Sequence, residues 1–167
     1  MENYLLKIIV SLVEGEVDFV VCGGVACVLQ GCERTTFDID IYPRMTEENL
    51  DKLIEVFRKL DFNPRIPEPI EHLKDEKKRK KWVEEKNALV FTLNDNKSFL
   101  QVDLFLHYPI VYDKLKNNAD IFEIEGISFP VSSKQDLLAA KEQIRPPREK
   151  DIQDIRYLKE LLKDDEK

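Results

Sequence analysis

Apolar residues along this chain follow two rhythms, one helical and one strand-like. Leu5, Leu6, Ile8, Ile9, Leu12 and Val13 recur at helical spacing, so the first dozen residues read as an amphipathic helix. Residues 17–21 are β-branched and aromatic and read as a buried strand ended by Gly23-Gly24. Residues 25–30 form a short apolar helix stopped by Gly31. Residues 37–42 alternate apolar and acidic positions up to Pro43, the period of a strand; Phe37, Ile39 and Ile41 are expected to face the core. Thr46 opens a long helix to about residue 60, whose buried stripe is Leu50, Leu53, Ile54, Phe57 and Leu60. Pro64, Pro67 and Pro69 then break regular structure, and a charged helix is expected over 75–86. Strands over 88–93 and 98–106 flank a turn at Asn94-Asp95-Asn96-Lys97, and 121–131 reads as a second hairpin with Glu125-Gly126 at its tip. Ser132 or Ser133 caps a helix to about residue 144. Beyond Pro146-Pro147 a last amphipathic helix carries Ile152, Ile155, Leu158, Leu161 and Leu162. The interleaving predicts an α+β fold, a mixed sheet flanked by helices, with residues 1–167 forming one domain.

Composition changes this picture only in places. Of the 167 residues 43% are hydrophobic, which excludes a disordered chain, and 35% are charged. The net charge of −7 makes the protein a poor non-specific binder of polynucleotides, so any such contact needs a local basic patch. One exists in Lys74–Lys81, KDEKKRKK, which reads either as a solvated helix face or as a hold on an RNA acceptor such as tRNA. Trp82 after it either stacks on a base or anchors the helix. No apolar run approaches the ~18 residues that span a bilayer, so no membrane association is expected. An acid at Glu2, where a signal peptide would be positive, makes the cytoplasm the expected location. Cys22, Cys27 and Cys32 match neither a zinc motif nor a disulfide framework and read as small apolar residues; His72 and His107 have no ligand spacing.

The chemistry concentrates between residues 20 and 43. A strand ends in Gly23-Gly24 and a helix follows at once, which lets a ligand approach the backbone and offers helix N–H groups to phosphate; an ordinary tight turn has the same signature. Asp38 and Asp40 lie two apart on a strand and project from one face. Like charges so placed repel unless cations neutralise them, and an all-oxygen pair suits Mg²⁺; an exposed edge strand is the alternative. Asp103 sits in an otherwise apolar strand, where a lone carboxylate is costly without a partner. If the two strands are neighbours, three carboxylates meet, a set able to hold two metals for in-line attack on phosphate. Arg34, Lys141, Arg145 and Arg148 are candidates to stabilise a leaving group, or simply surface ion pairs. Asp151 and Asp154 share a helix face, either solvated or paired with Arg148 or Lys141 to orient them.

Gly23-Gly24, then Arg34-x-Thr36-x-Asp38-Ile39-Asp40, then Val102-Asp103-Leu104 resembles the nucleotidyltransferase superfamily. Lys134-x-Asp136-Leu137-Leu138-Ala139-Ala140-Lys141 and Arg148-x-Lys150-Asp151-x-x-Asp154 bring it closer to the small prokaryotic branch that includes AbiEii-type toxin nucleotidyltransferases. The resemblance spans about residues 15–162 and implies a nucleotidyltransferase-like sheet with the C-terminal helices packed on it. It implies transfer of a nucleoside monophosphate from an NTP to a hydroxyl acceptor, with Mg²⁺ (or Mn²⁺) and release of pyrophosphate. By the same resemblance Asp38, Asp40 and Asp103 are the catalytic metal ligands, and Gly23, Gly24, Arg34, Thr36 and Lys141 bind the nucleotide. Many members carry Gly-Ser at the turn, where this chain has Gly24. The alternatives are a weakly active or inactive NTP-binding regulatory module, and a toxin–antitoxin component with an antitoxin partner. RNA, protein and small-molecule acceptors all stay open.

Overall fold

A computed structural model describes residues 3–167. The first helix, α1 (Tyr4–Glu14), buries Leu6, Ile8, Ile9 and Leu12, and Asn3 caps it by accepting from the Leu6 N–H at 3.1 Å. Met1 and Glu2, which the sequence pattern includes in this segment, lie outside the described residues. Strand β1 (Phe19–Cys22) is buried throughout and runs into α2 (Gly23–Gln30), which ends at Gly31 in the left-handed conformation. Strand β2 (Asp38–Pro43) follows, then α3 (Glu47–Lys59), capped by Thr46. Short β3 (Phe62–Pro64) leads through a 3₁₀ turn (Ile70–Lys74) into α4 (Glu76–Lys86). The hairpin β4 (Val90–Asp95) and β5 (Gln101–Phe105) precedes α5 (Tyr112–Asn118). A second hairpin, β6 (Asp120–Ile124) and β7 (Ile127–Val131), leads to α6 (Lys134–Glu142) and α7 (Glu149–Asp165).

These strands form a seven-stranded mixed sheet in the order β3-β4-β5-β2-β1-β7-β6. The pairs β2–β5 and β1–β7 are parallel, and the other neighbours antiparallel. The α+β expectation is met. The main core lies on the side of Ile39 and Ile41, with Leu53, Phe57, Leu93, Val102 and Leu104 all but inaccessible. A smaller apolar cluster sits beneath the other face of β1, where Val20 and Cys22 meet Tyr108, Ile110, Leu115 and Ala140. No helix among the described residues is long and apolar enough to cross a membrane.

Three features depart from the apolar pattern. Phe37 is 78% exposed rather than buried, because the ladder with β5 begins one residue later, at Asp38 opposite Gln101. Ile152 is exposed as well: the face of α7 turned inward carries Asp151, Asp154 and Leu158, a stripe in which charge rather than an apolar side chain fills two positions. In the proline-rich stretch, Phe62–Pro64 pairs with β4, tolerated because β3 is the edge strand. Trp82 is the anchor of α4, 4% exposed and stacked on Phe91 with ring centroids 5.5 Å apart. All three cysteines are buried and unpaired in disulfides.

Candidate active site

The site begins with register. In the parallel pair β2–β5, Asp38 faces Gln101 and Asp40 faces Asp103, so the three carboxylates share one face of two adjacent strands. Asp103 is held from the side: Thr92 Oγ1 donates to its Oδ1 at 2.6 Å and Gln101 Nε2 donates to the same oxygen at 3.3 Å. Thr92 is there because β4 pairs Thr92 with Asp103. Asp40 lies against the glycine turn, where the Gly24 N–H at the start of α2 favours its ionised form.

Glycine at position 23 is a steric requirement. Its φ is +61°, and a Cβ there would collide with the Asp40 carboxylate. Gly24 is crowded from the other side: a Cβ would lie 2.9 Å from Thr36 Oγ1 and 3.2 Å from Arg34 Nη2. Thr36 in turn donates from Oγ1 to the Asp38 carbonyl at 3.3 Å. The glycine turn, Arg34, Thr36, Asp38 and Asp40 are therefore one contiguous surface, with Asp103 beside it on β5.

The electrostatics of this surface are unbalanced. Burial and the nearby Asp103 carboxylate push Asp40 up to about 6, against the Gly24 N–H and the positive charge of Lys141. Asp38 is raised too, by burial and by Asp103, with Lys150 pulling the other way. The donors are hard oxygens on one face, and burial and the Asp103 charge disfavour the ionised forms of Asp38 and Asp40, which is the chemistry a divalent cation fits. They are not drawn together into a closed ligand set: among the described residues no three His, Cys, Asp or Glu side chains form such a group.

Cations from the loop before β2 and from the C-terminal segment gather beside the carboxylates. Arg34 Nη1 pairs with Asp154 Oδ2 at 2.6 Å, and Lys141 Nζ lies 2.9 Å from that oxygen and 3.2 Å from Asp151 Oδ1. Arg148 Nε reaches Asp151 Oδ2 at 2.7 Å, and the Arg148 guanidinium lies in the field of Asp40. Both Asp151 and Asp154 have no accessible side-chain surface. Burial works against the Asp151 carboxylate, but Arg148 and Lys141 outweigh it and hold the group down at about 2. Lys141, expected to touch a phosphate or base, has its ammonium between these two acids and is 8% exposed. Arg145 is turned to backbone carbonyls at Glu142 and Ile144.

Of the two readings of Asp151 and Asp154 that their i, i+3 spacing allowed, a solvated face or pairing with Arg148 or Lys141, the structure has the pairing. The added partner, Arg34 on Asp154, carried no signal in the sequence. Lys150, quoted only as part of the Arg148-x-Lys150-Asp151 motif, bears on Asp38. The basic run on α4 lies elsewhere and is partly spent locally, Lys74 on Asp51 at 2.9 Å and Lys80 on Glu76 at 3.3 Å. Two shallow cavities, of about 220 and 280 Å³, lie between α1 and α3 and beside α4; neither is lined by the carboxylates.

No family model matches the chain, and no curated protein matches it in sequence. Solved structures do match in shape. The lincosamide antibiotic adenylyltransferase LnuA, bound to lincomycin, superposes with a TM-score of 0.64 at 15% identity, covering 96% of this chain and 98% of its own. ANT(2'')-Ia in complex with adenylyl-2''-tobramycin gives 0.58 at 14% identity, covering 96% and 88%. An antigenic nucleotidyltransferase-like protein from Paracoccidioides brasiliensis gives 0.57 at 16% identity, covering 92% and 73%. The chain thus has the fold of nucleotidyltransferase structures. The neighbours named here carry no support for the AbiEii-type branch.

Proposed function

We propose that this protein is a metal-dependent nucleotidyltransferase that moves a nucleoside monophosphate from an NTP to a hydroxyl acceptor, releasing pyrophosphate. The observation that carries the reading is the unbalanced face of Asp38, Asp40 and Asp103 beside the Gly23-Gly24 turn, on a fold shared with adenylyltransferases. Mg²⁺ or Mn²⁺ held by these three carboxylates would neutralise phosphate charge and favour ionisation of the attacking hydroxyl. The chain's own groups do the rest. Gly23 and the first turn of α2 admit the phosphates close to the backbone. Arg148 and Lys150 lie in the field of Asp40 and Asp38, and Arg34 Nη2 stands over Gly24; together they would balance charge developing on the departing pyrophosphate. Asp103, steadied by Thr92 and Gln101, is placed to orient the acceptor hydroxyl. The Thr36 hydroxyl fills the space a side chain at position 24 would take and supplies there the hydroxyl that Gly24 lacks.

A small hydroxyl-bearing acceptor is favoured over RNA. The shape likeness to LnuA runs over nearly the whole of both chains, and the α4 basic run is partly consumed by its own neighbours. Incubation with each labelled NTP, Mg²⁺ or Mn²⁺ and fractionated cell extract tests all of this. Label on a small molecule supports the reading as stated. Label on RNA or protein redirects the acceptor, and no metal-dependent label with any NTP overturns the activity. Copurification with an inhibitory partner would instead favour the toxin–antitoxin reading.

A further inference from the structure

Arg34 is held in an unusual way. Its Nε donates to the Thr35 carbonyl at 3.3 Å and its Nη1 to Asp154 Oδ2 at 2.6 Å. Nη2 has no hydrogen-bond partner among the described residues, and it is the nitrogen that stands over Gly24, 3.2 Å from where a Cβ would be. Two of the three nitrogens are tied down and the third is presented at the first turn of α2, where backbone N–H groups and the helix dipole already favour an anion.

Asp154 is what fixes this pose. It lies 120 residues away in sequence, has no accessible side-chain surface, and uses a single oxygen for both Arg34 and Lys141. Its other oxygen, Oδ1, is buried without a partner. A carboxylate placed for stability alone would satisfy both oxygens, since an orphaned buried acceptor is costly and an ion pair so deep gains little over apolar packing. Ordering a long cationic side chain before its ligand arrives lowers the cost of binding.

We infer that Asp154 is a positioning residue of the proposed site: through Oδ2 it aims Arg34 Nη2 at nucleotide phosphates lying against Gly23-Gly24, and Lys141 serves the same end by neutralising the Asp151–Asp154 pair rather than by touching substrate. The inference rests on the nucleotidyl-transfer reading.

Calorimetric binding of Mg²⁺-tripolyphosphate and Mg²⁺-ATP tests it, with thermal melts of each variant alongside. Asp154→Asn and Arg34→Gln should each weaken both ligands about tenfold, and the double variant no further than either single one. Nitrogen NMR of Arg34 should show distinct guanidinium signals in the parent that average together in Asp154→Asn. Arg34→Lys keeps the charge and leaves Asp154 intact, yet an ammonium paired with Asp154 cannot also reach over Gly24, so it should weaken binding as well. A folded Asp154→Asn with parental affinity, or losses that simply add in the double variant, overturns the inference. If Asp154→Asn does not fold, undiminished binding by Arg34→Lys overturns it. A parent protein that binds neither ligand overturns the nucleotidyl-transfer reading and this inference with it; a parent that binds beside unaffected variants overturns this inference alone.

Discussion

Two groups of carboxylates stand a few residues from one another in space and behave in opposite ways. Asp151 and Asp154 on α7 are fully buried, yet Arg148, Lys141 and Arg34 pair with them, and Asp151 is held at about 2. Asp38, Asp40 and Asp103 on the sheet are partly open to solvent, yet Asp40 is pushed up to about 6. Burial disfavours the charged form in both groups, so it does not by itself separate them. What decides is whether the fold brings cations to it. On α7 the fold completes the pairing; on the sheet it leaves negative charge only partly balanced, the feature on which the proposed metal-dependent reading rests.

The contrast can be broken from either side. The largest effect belongs to the paired group. Asp151→Ala takes from Arg148 its acid and from Lys141 one of its two, and should cost about 3 kcal/mol in urea unfolding, the low end for breaking a buried pair because Asp154 still holds Lys141. Next comes the unpaired group. Asp38→Asn or Asp40→Asn should lower metal-dependent NTP turnover by at least about a hundredfold, measured as pyrophosphate release. Undiminished turnover in both would remove these residues from the active site. In chelator, Asp40→Asn should also melt higher than the parent, because it deletes a charge that burial and Asp103 disfavour.

Acid titration sharpens the comparison further, because Asp151 and Asp40 carry opposite signs. Asp151 is depressed from 3.8 to about 2, so its contribution is present above pH 3.8 and lost as pH falls toward 2; at order of magnitude it is worth ~2 kcal/mol. Asp40 is raised from 3.8 to about 6, so the folded state holds its proton more tightly and stability drains away as pH rises through that interval. Chelated protein should thus gain stability from pH 2 to 4 and lose some from 4 to 6. Asp40→Asn should flatten the second slope only, and Asp151→Asn, if folded, the first only. The smallest effect is expected at Lys80, whose pairing with Glu76 is solvent-exposed: Lys80→Ala should change stability by less than about 1 kcal/mol.

Much of this was legible from the sequence. The period of two over residues 37–42 located β2 and put Asp38 and Asp40 on one face, and apolar spacing located α1, α3 and both hairpins. These are properties of neighbouring residues, which share a backbone geometry and so print their period on the chain. The same rule failed at Phe37, where the strand had already run out of partners, and on α7, where charged side chains took the buried positions an apolar stripe was expected to fill.

What the sequence could not settle is which distant segments meet. That Asp103 stands opposite Asp40 depends on the register of a parallel strand pair, in which a slip of one residue would turn it to the other face. That Arg34 ends on Asp154 depends on α7 folding back past α6 onto the loop before β2, across 120 residues. Patterns along a chain report local geometry; the pairing of remote charges is fixed only when the core closes and the cost of burying each group is weighed against the partners that closure brings.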